Sequence, residues 1–166
     1  MNIAKGLDCS GLINYAVSHA GLSIGRDSRT MFKEFSTSKL ELTDTKSISN
    51  DTSKFEKGDV LFFNNTEEGF SRGGKRWKVP VIKKDWKEYR IHHVAFIKSI
   101  NKEKGTIDVV ESNGAQGVTE STINIYDRAQ KNDELYVAHV DYDKLQKLDQ
   151  TALAKLETLP EASLAA

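Results

Sequence analysis

The sequence predicts an α+β fold in which an N-terminal helix packs on a mainly antiparallel sheet of five to six strands. Two observations carry this. Apolar residues at Leu12, Ile13, Ala16, Val17 and Ala20 follow the spacing of one buried helix face. From residue 59 to residue 140 the chain then breaks into short β-branched and aromatic runs separated by polar turns, the pattern of an antiparallel sheet.

In the first helix Asp8 reads as the N-cap, Cys9 as the first turn and Gly21 as the left-handed stop, a length of about three turns. Ser28 is expected to cap a second helix carrying Met31, Phe32 and Phe35, and the polar, Ser/Thr-rich stretch from Ser36 to Lys54 reads as loop. The expected strands are Asp59 to Phe63, His92 to Ser99, Thr106 to Glu111, Ser121 to Tyr126 and Leu135 to Val140. Asn101-Lys102-Glu103-Lys104-Gly105 makes the second and third of these a hairpin. The glycine-rich loop Asn113 to Gly117 would let backbone approach a ligand. Leu145, Leu148, Leu153 and Leu156 suggest a terminal helix. The expected organisation is one catalytic domain over residues 1–142 with an insertion at about 64–90, a helix over 143–159 and a disordered tail over 160–166.

The only cysteine, Cys9, lies at the mouth of the first helix, ahead of the apolar face where an inert core cysteine would sit. There it meets the positive end of the helix dipole and backbone N–H groups with no intrahelical acceptor, both of which favour a thiolate. The same groups could hold an acyl oxyanion, and Ser10 and Gly11 keep the approach small.

A nucleophilic cysteine needs an imidazole, and the chain offers His19, His92, His93 and His139. His19 is ten residues along the same helix, about 15 Å away at 1.5 Å per residue. His92 and His93 are neighbours on a strand, so they are expected on opposite faces, with His93 preferred because Ala95 and Ile97 share its side. His139 reads as structural. The strand after the hairpin offers an acceptor to orient the imidazole: Glu111 first, Asn113 in reserve.

Lysine plus arginine, 24, balance aspartate plus glutamate, 24, so no global field argues for nucleic acid or an anionic membrane as partner. Between Arg72 and Arg90 basic residues outnumber acidic ones, with Trp77, Trp86 and Tyr89 interleaved. Such a stretch can bind nucleic acid or glycans, or it can simply pack its two tryptophans on the domain. Its place between two core strands puts it near the cleft, where Trp77 could aid recognition. A single cysteine excludes an intrachain disulfide, and nothing has metal-ligand spacing, so no cofactor or metal is expected. No apolar stretch approaches membrane length, and the N-terminus lacks the pattern of a signal peptide.

Three blocks together resemble the NlpC-type bacterial cell-wall cysteine peptidases, whose catalytic domain is papain-like. They are Asp8-Cys9-Ser10-Gly11-Leu12 before an amphipathic helix, Lys57-Gly58-Asp59-Val60-Leu61-Phe62-Phe63, and His93-Val94-Ala95-Phe96-Ile97. The resemblance spans roughly the first 115 residues. It implies Cys9 as nucleophile, His93 as general base and acid, and a polar third residue where this chain holds Glu111; a carboxylate there departs from the family's usual His, Asn or Gln. Asp8, Ser10, Asn113 and Trp77 are expected to contact substrate. The implied substrate is an amide in the peptide stems of peptidoglycan, typically after a D-isoglutamyl residue.

A segment with an aromatic residue and a Gly-Gly pair usually precedes the nucleophile in the family, and only Met1 to Leu7 stand there. Either the chain was cut from a larger protein or the cleft is built differently. A cell-wall enzyme without a visible signal peptide would reach the envelope from a longer chain, or by dedicated secretion or lysis, as antibacterial effectors do. An immunity or inhibitor protein would then be a further partner. Two other readings stay open: a papain-like thiol acyltransferase or toxin acting on a host protein, and a non-catalytic peptidoglycan-binding module.

Overall fold

The computed structural model describes residues 9–19, 27–67, 69–72, 75–112 and 117–141; at His19, 69–72 and 75–77 it describes backbone alone. The expected terminal helix and tail, the N-cap Asp8 and the stop Gly21 lie outside these residues.

Helix α1 spans Cys9–His19 and α2 spans Ser28–Glu34. The cap of α2 is Asp27 rather than Ser28: its extended backbone lets the carboxylate accept from Thr30 N at 2.9 Å, while Ser28 is already helical. Within the stretch expected to be loop, Thr37–Lys39 forms strand β1, and Leu42 and Ile48 make an isolated bridge. Strand β2 is Val60–Asn65, β7 is Ile91–Asn101, β8 is Thr106–Ser112, β9 is Val118–Asn124 and β10 is Asp133–Ala138. The fourth expected strand therefore stops early. Asn124 caps a short helix α3, Ile125–Gln130, by accepting from Asp127 N.

Six strands form one sheet in the order β1-β10-β2-β7-β8-β9, and every neighbouring pair is antiparallel. The region expected as an insertion holds two hairpins, β3 (Gly69–Arg72) with β4 (Lys75–Lys78), and β5 (Ile82–Lys84) with β6 (Lys87–Tyr89).

Apolar side chains cover both faces of the sheet. On one, Ile13 and Val17 of α1 and Met31 and Phe32 of α2 pack on Val60, Phe62, Ile91 and Val94. On the other, Leu40, Ile48 and Ile125 close over Leu61, Phe63, Ala95, Val109 and Leu135. All six residues of β2 are consequently buried, which explains its unbroken Val-Leu-Phe-Phe run: a strand covered on both faces has no solvent side to alternate toward.

Asp59, the acid of the Gly-Asp block, is buried just before β2. One carboxylate oxygen accepts from Glu56 N at 2.9 Å; the other takes Val140 N at 3.1 Å and His139 Nδ1 at 2.9 Å. It ties the turn entering β2 to the chain leaving β10, and His139 is one of its partners.

Candidate active site

The site is assembled from the start of α1 and from β7 and β8. Cys9 is half-buried at the first turn of α1 and packs against the cluster beneath that helix. Its thiol is thus more enclosed than a wholly surface-facing group. Cys9 is hydrogen-bonded to the His93 side chain. His93 Nε2 lies 2.7 Å from Glu111 Oε2, and Glu111 Oε1 accepts from Ser121 Oγ at 2.9 Å. With Nε2 directed at the carboxylate, Nδ1 is the ring nitrogen left for the thiol.

The electrostatics favour a charged imidazole. Burial alone would lower the His93 pKa, but hydrogen bonds to Cys9 and Glu111 and the charges of both outweigh it and raise it from 6.5 to about 9. Glu111 responds in the opposite sense: its hydrogen bond to His93 holds it below the ordinary carboxylate value against the effect of burial, helped by the charge of His93, by Ser121 and by Arg128. An imidazolium between a thiol and a carboxylate can hold a thiolate as an ion pair and donate a proton to a leaving group.

The expectation that His92 and His93 face opposite sides does not hold. Phe63 pairs with His93 but Asn64 pairs with Ile91, which makes His92 the extra residue of a β-bulge. Through it both imidazoles come to the Phe63 ring, at 6.1 Å for His92 and 5.0 Å for His93. His92 Nε2 lies 2.8 Å from Asp133 Oδ1, which also accepts from Asn65 Nδ2 at 3.0 Å. Alternation alone would place His92 on the other face, because a one-residue bulge has no period-2 signature.

Ser10 is buried beside Cys9. Asp8, Asn113 and the Trp77 side chain lie outside the described residues. The sequence reading passes over Ser121 and Asp133. The alternation of Thr119, Ser121 and Ile123 could have paired Ser121 with the Glu111 side of β8, whereas Asp133 carries no local signal. Trp86 is fully exposed, so the insertion does not pack both tryptophans on the domain. Among the described residues no group of His, Cys, Asp and Glu could hold a metal ion, and no helix is long and apolar enough to cross a membrane.

Residues 2–74 match the model of the NlpC/P60 family, the family that the three sequence blocks resemble. The match takes in Cys9 and the Gly58-Asp59 strand and ends before His93. No curated protein and no solved structure gave a match.

Proposed function

From the NlpC/P60 match over residues 2–74, we propose that the protein is a cysteine peptidase or amidase that hydrolyses amide bonds in the stem peptides of bacterial peptidoglycan, with Cys9, His93 and Glu111 as its catalytic group. The observation that carries this reading is His93, hydrogen-bonded to Cys9 on one side and 2.7 Å from Glu111 on the other.

The Cys9 thiolate attacks the amide carbonyl, and the electron pair moves to oxygen. The Cys9 backbone N–H and the positive end of α1 stabilise that oxyanion. The His93 imidazolium gives its proton to the leaving amine as the C–N bond breaks, leaving an acyl-thioester on Cys9 and a neutral imidazole. His93 then takes a proton from water as the hydroxide attacks the thioester, and returns it to the departing thiolate or keeps it as the ion pair re-forms. Glu111 holds the ring in place and favours its charged form throughout. The substrate places the enzyme at the cell envelope or outside the cell, as an exported antibacterial effector or as part of a larger cell-wall protein.

Wild type and Cys9→Ala are incubated with purified peptidoglycan, and soluble fragments are read by mass spectrometry. Fragments from wild type alone support the reading, and the masses identify the bond. Equal release by both proteins, or none by either, overturns it. Cys9 packs on the core, so Cys9→Ala is expected to cost about 1 kcal/mol of stability, too little to unfold the domain.

A further inference from the structure

Beside the edge strand β1 lies a cavity of ≈ 400 Å³ whose walls include Thr37, Lys39, Glu41, Asp85, Tyr89 and Tyr136. This is within the size range of small-ligand sites. Its floor is rigid: Phe32, Tyr89 and Tyr136 pack mutually, with ring centroids 4.8 to 5.6 Å apart. The β5–β6 hairpin forms one wall and is pinned by Lys84, whose ammonium sits over the Phe32 ring and donates to the carbonyls of Phe32 and Phe35 at the end of α2.

At the tip of that hairpin stand Asp85 and Trp86, with φ of 52° and 66°. Two consecutive left-handed residues make the turn that hairpins favour, and its second position normally holds glycine. Here it holds a tryptophan that is fully exposed and has no packing to offset the backbone cost. Asp85 before it and Lys87 after it both line the cavity, so Trp86 stands at the tip of the hairpin that walls the cavity, its indole outside the lining itself.

We propose that this cavity and Trp86 form a saccharide subsite that holds the glycan backbone of the substrate. The inference rests on peptidoglycan being the substrate, a polymer whose peptides branch from a sugar chain. An exposed indole offers a flat amphipathic platform to the C–H face of a pyranose ring. The walls supply tyrosine hydroxyls, the Lys87 ammonium and carboxylate acceptors, matching hydroxyl groups that both donate and accept. A polyanion is disfavoured. Lys39 is held by Glu134 at 2.7 Å and Glu41 at 3.3 Å, Lys84 is committed to helix carbonyls, and Asp85 and Glu41 would repel phosphates.

The position suits a branched substrate. Lys39 pairs with Tyr136, Tyr136 with Phe62 and Phe62 with Val94, the neighbour of His93. The cavity wall at Tyr136 is therefore two strands from Val94, about 10 Å at 4.7–4.9 Å per strand. Phe62 and Val94 are buried beneath α1 and α2, so the peptide branch of a sugar chain seated there would run over the helices rather than along the sheet to reach Cys9.

The test uses the full chain carrying Cys9→Ala, titrated calorimetrically with a tetramer of N-acetylglucosamine, with and without Trp86→Gly. Saturable binding that weakens at least tenfold on Trp86→Gly, in a protein that melts no lower, supports the subsite. No saturable binding at millimolar tetramer, or equal binding by both proteins, overturns it. So does capture of a single-stranded oligonucleotide or a sugar-free stem peptide through Trp86 in place of the tetramer. Because the nucleophile is absent, this result stands apart from hydrolysis: fragment release without tetramer binding removes the subsite alone, and Trp86-dependent tetramer binding supports it even where no fragment is released.

Discussion

His92 and His93 are adjacent in sequence, yet both imidazoles lie against the ring of Phe63, and each is held by its own carboxylate, Asp133 at 2.8 Å and Glu111 at 2.7 Å. The bulge at His92 makes this possible. An extra residue in β7 lets His93 keep its register opposite Phe63 while His92 turns to the same ring, so the carboxylates of β10 and β8 grip β7 from both sides.

Glu111→Gln keeps the shape and removes the charge. The His93 pKa, raised from 6.5 to about 9, depends in part on Glu111, so the amide moves the alkaline limb of the pH–activity profile to lower pH. Its peak should fall about 10- to 100-fold, the usual worth of a partner that orients a functional imidazole. Stability follows the same signs. The raised His93 pKa contributes stability that is complete below about 6.5 and is lost as pH rises through about 9. The lowered Glu111 pKa contributes stability present above its ordinary value and lost as pH falls through the depressed one. Peptidoglycan release measured across pH for both proteins checks this; an alkaline limb that stays in place would remove Glu111 from the mechanism.

Asp133→Ala strips His92 and Asn65 of their common acceptor. It should cost about 1–3 kcal/mol in all, because Asn65 Nδ2 still donates to the Lys131 carbonyl. The bulge that sets His93 should loosen as well, lowering kcat more than it raises KM. Urea unfolding with steady-state kinetics on the same preparation reads both effects, and a stability loss with kcat intact would leave Asp133 purely structural.

The start of α1 is legible because helical spacing and the chemistry of Cys9 are local, and Glu111 is legible because strand alternation places it across the hairpin from His93. The bulge is not, since it exists only in the pairing of β7 with β2, which the turn between β7 and β8 does not determine. Strand β1 is hidden for a related reason: Thr37-Ser38-Lys39 has no apolar period and becomes a strand by pairing with β10. Asp27 and Ser28 are adjacent residues of equal capping aptitude, so only their backbone angles separate them. The Gly-Asp block is visible by its order along the chain, while the work of Asp59 depends on Glu56 and Val140 meeting it in space.

Asp59→Ala tests that role. It leaves the backbone N–H groups of Glu56 and Val140 without their carboxylate, inside a segment where Asp59 is only 1% exposed. A loss of at least about 2 kcal/mol is expected, since a buried backbone donor left unsatisfied costs 1–3 kcal/mol. Asp59→Asn retains one acceptor oxygen and should recover part of it. His139→Ala should cost little, because that side chain is half exposed and Asp59 keeps its two backbone donors. Chemical denaturation of the three variants ranks them, and a His139→Ala loss as large as that of Asp59→Ala would reassign the anchor to the His139–Asp59 hydrogen bond.

Trp86→Gly should stabilise the protein. A non-glycine residue at φ 66° carries a backbone cost of about 1–2 kcal/mol, and a fully exposed indole recovers none of it through burial. Glycine removes that cost but loses more conformational freedom on folding, which returns about 0.5–1 kcal/mol. The net expectation is a gain of roughly 0.5–1 kcal/mol. Asp85→Gly at the preceding position should gain less, because aspartate tolerates the left-handed region and Asp85 also interacts with the Lys84 charge. Urea midpoints at unchanged slope decide it. If Trp86→Gly instead destabilised the fold, the indole would be packing on the domain after all, and the display of a ring at the hairpin tip would lose its physical basis.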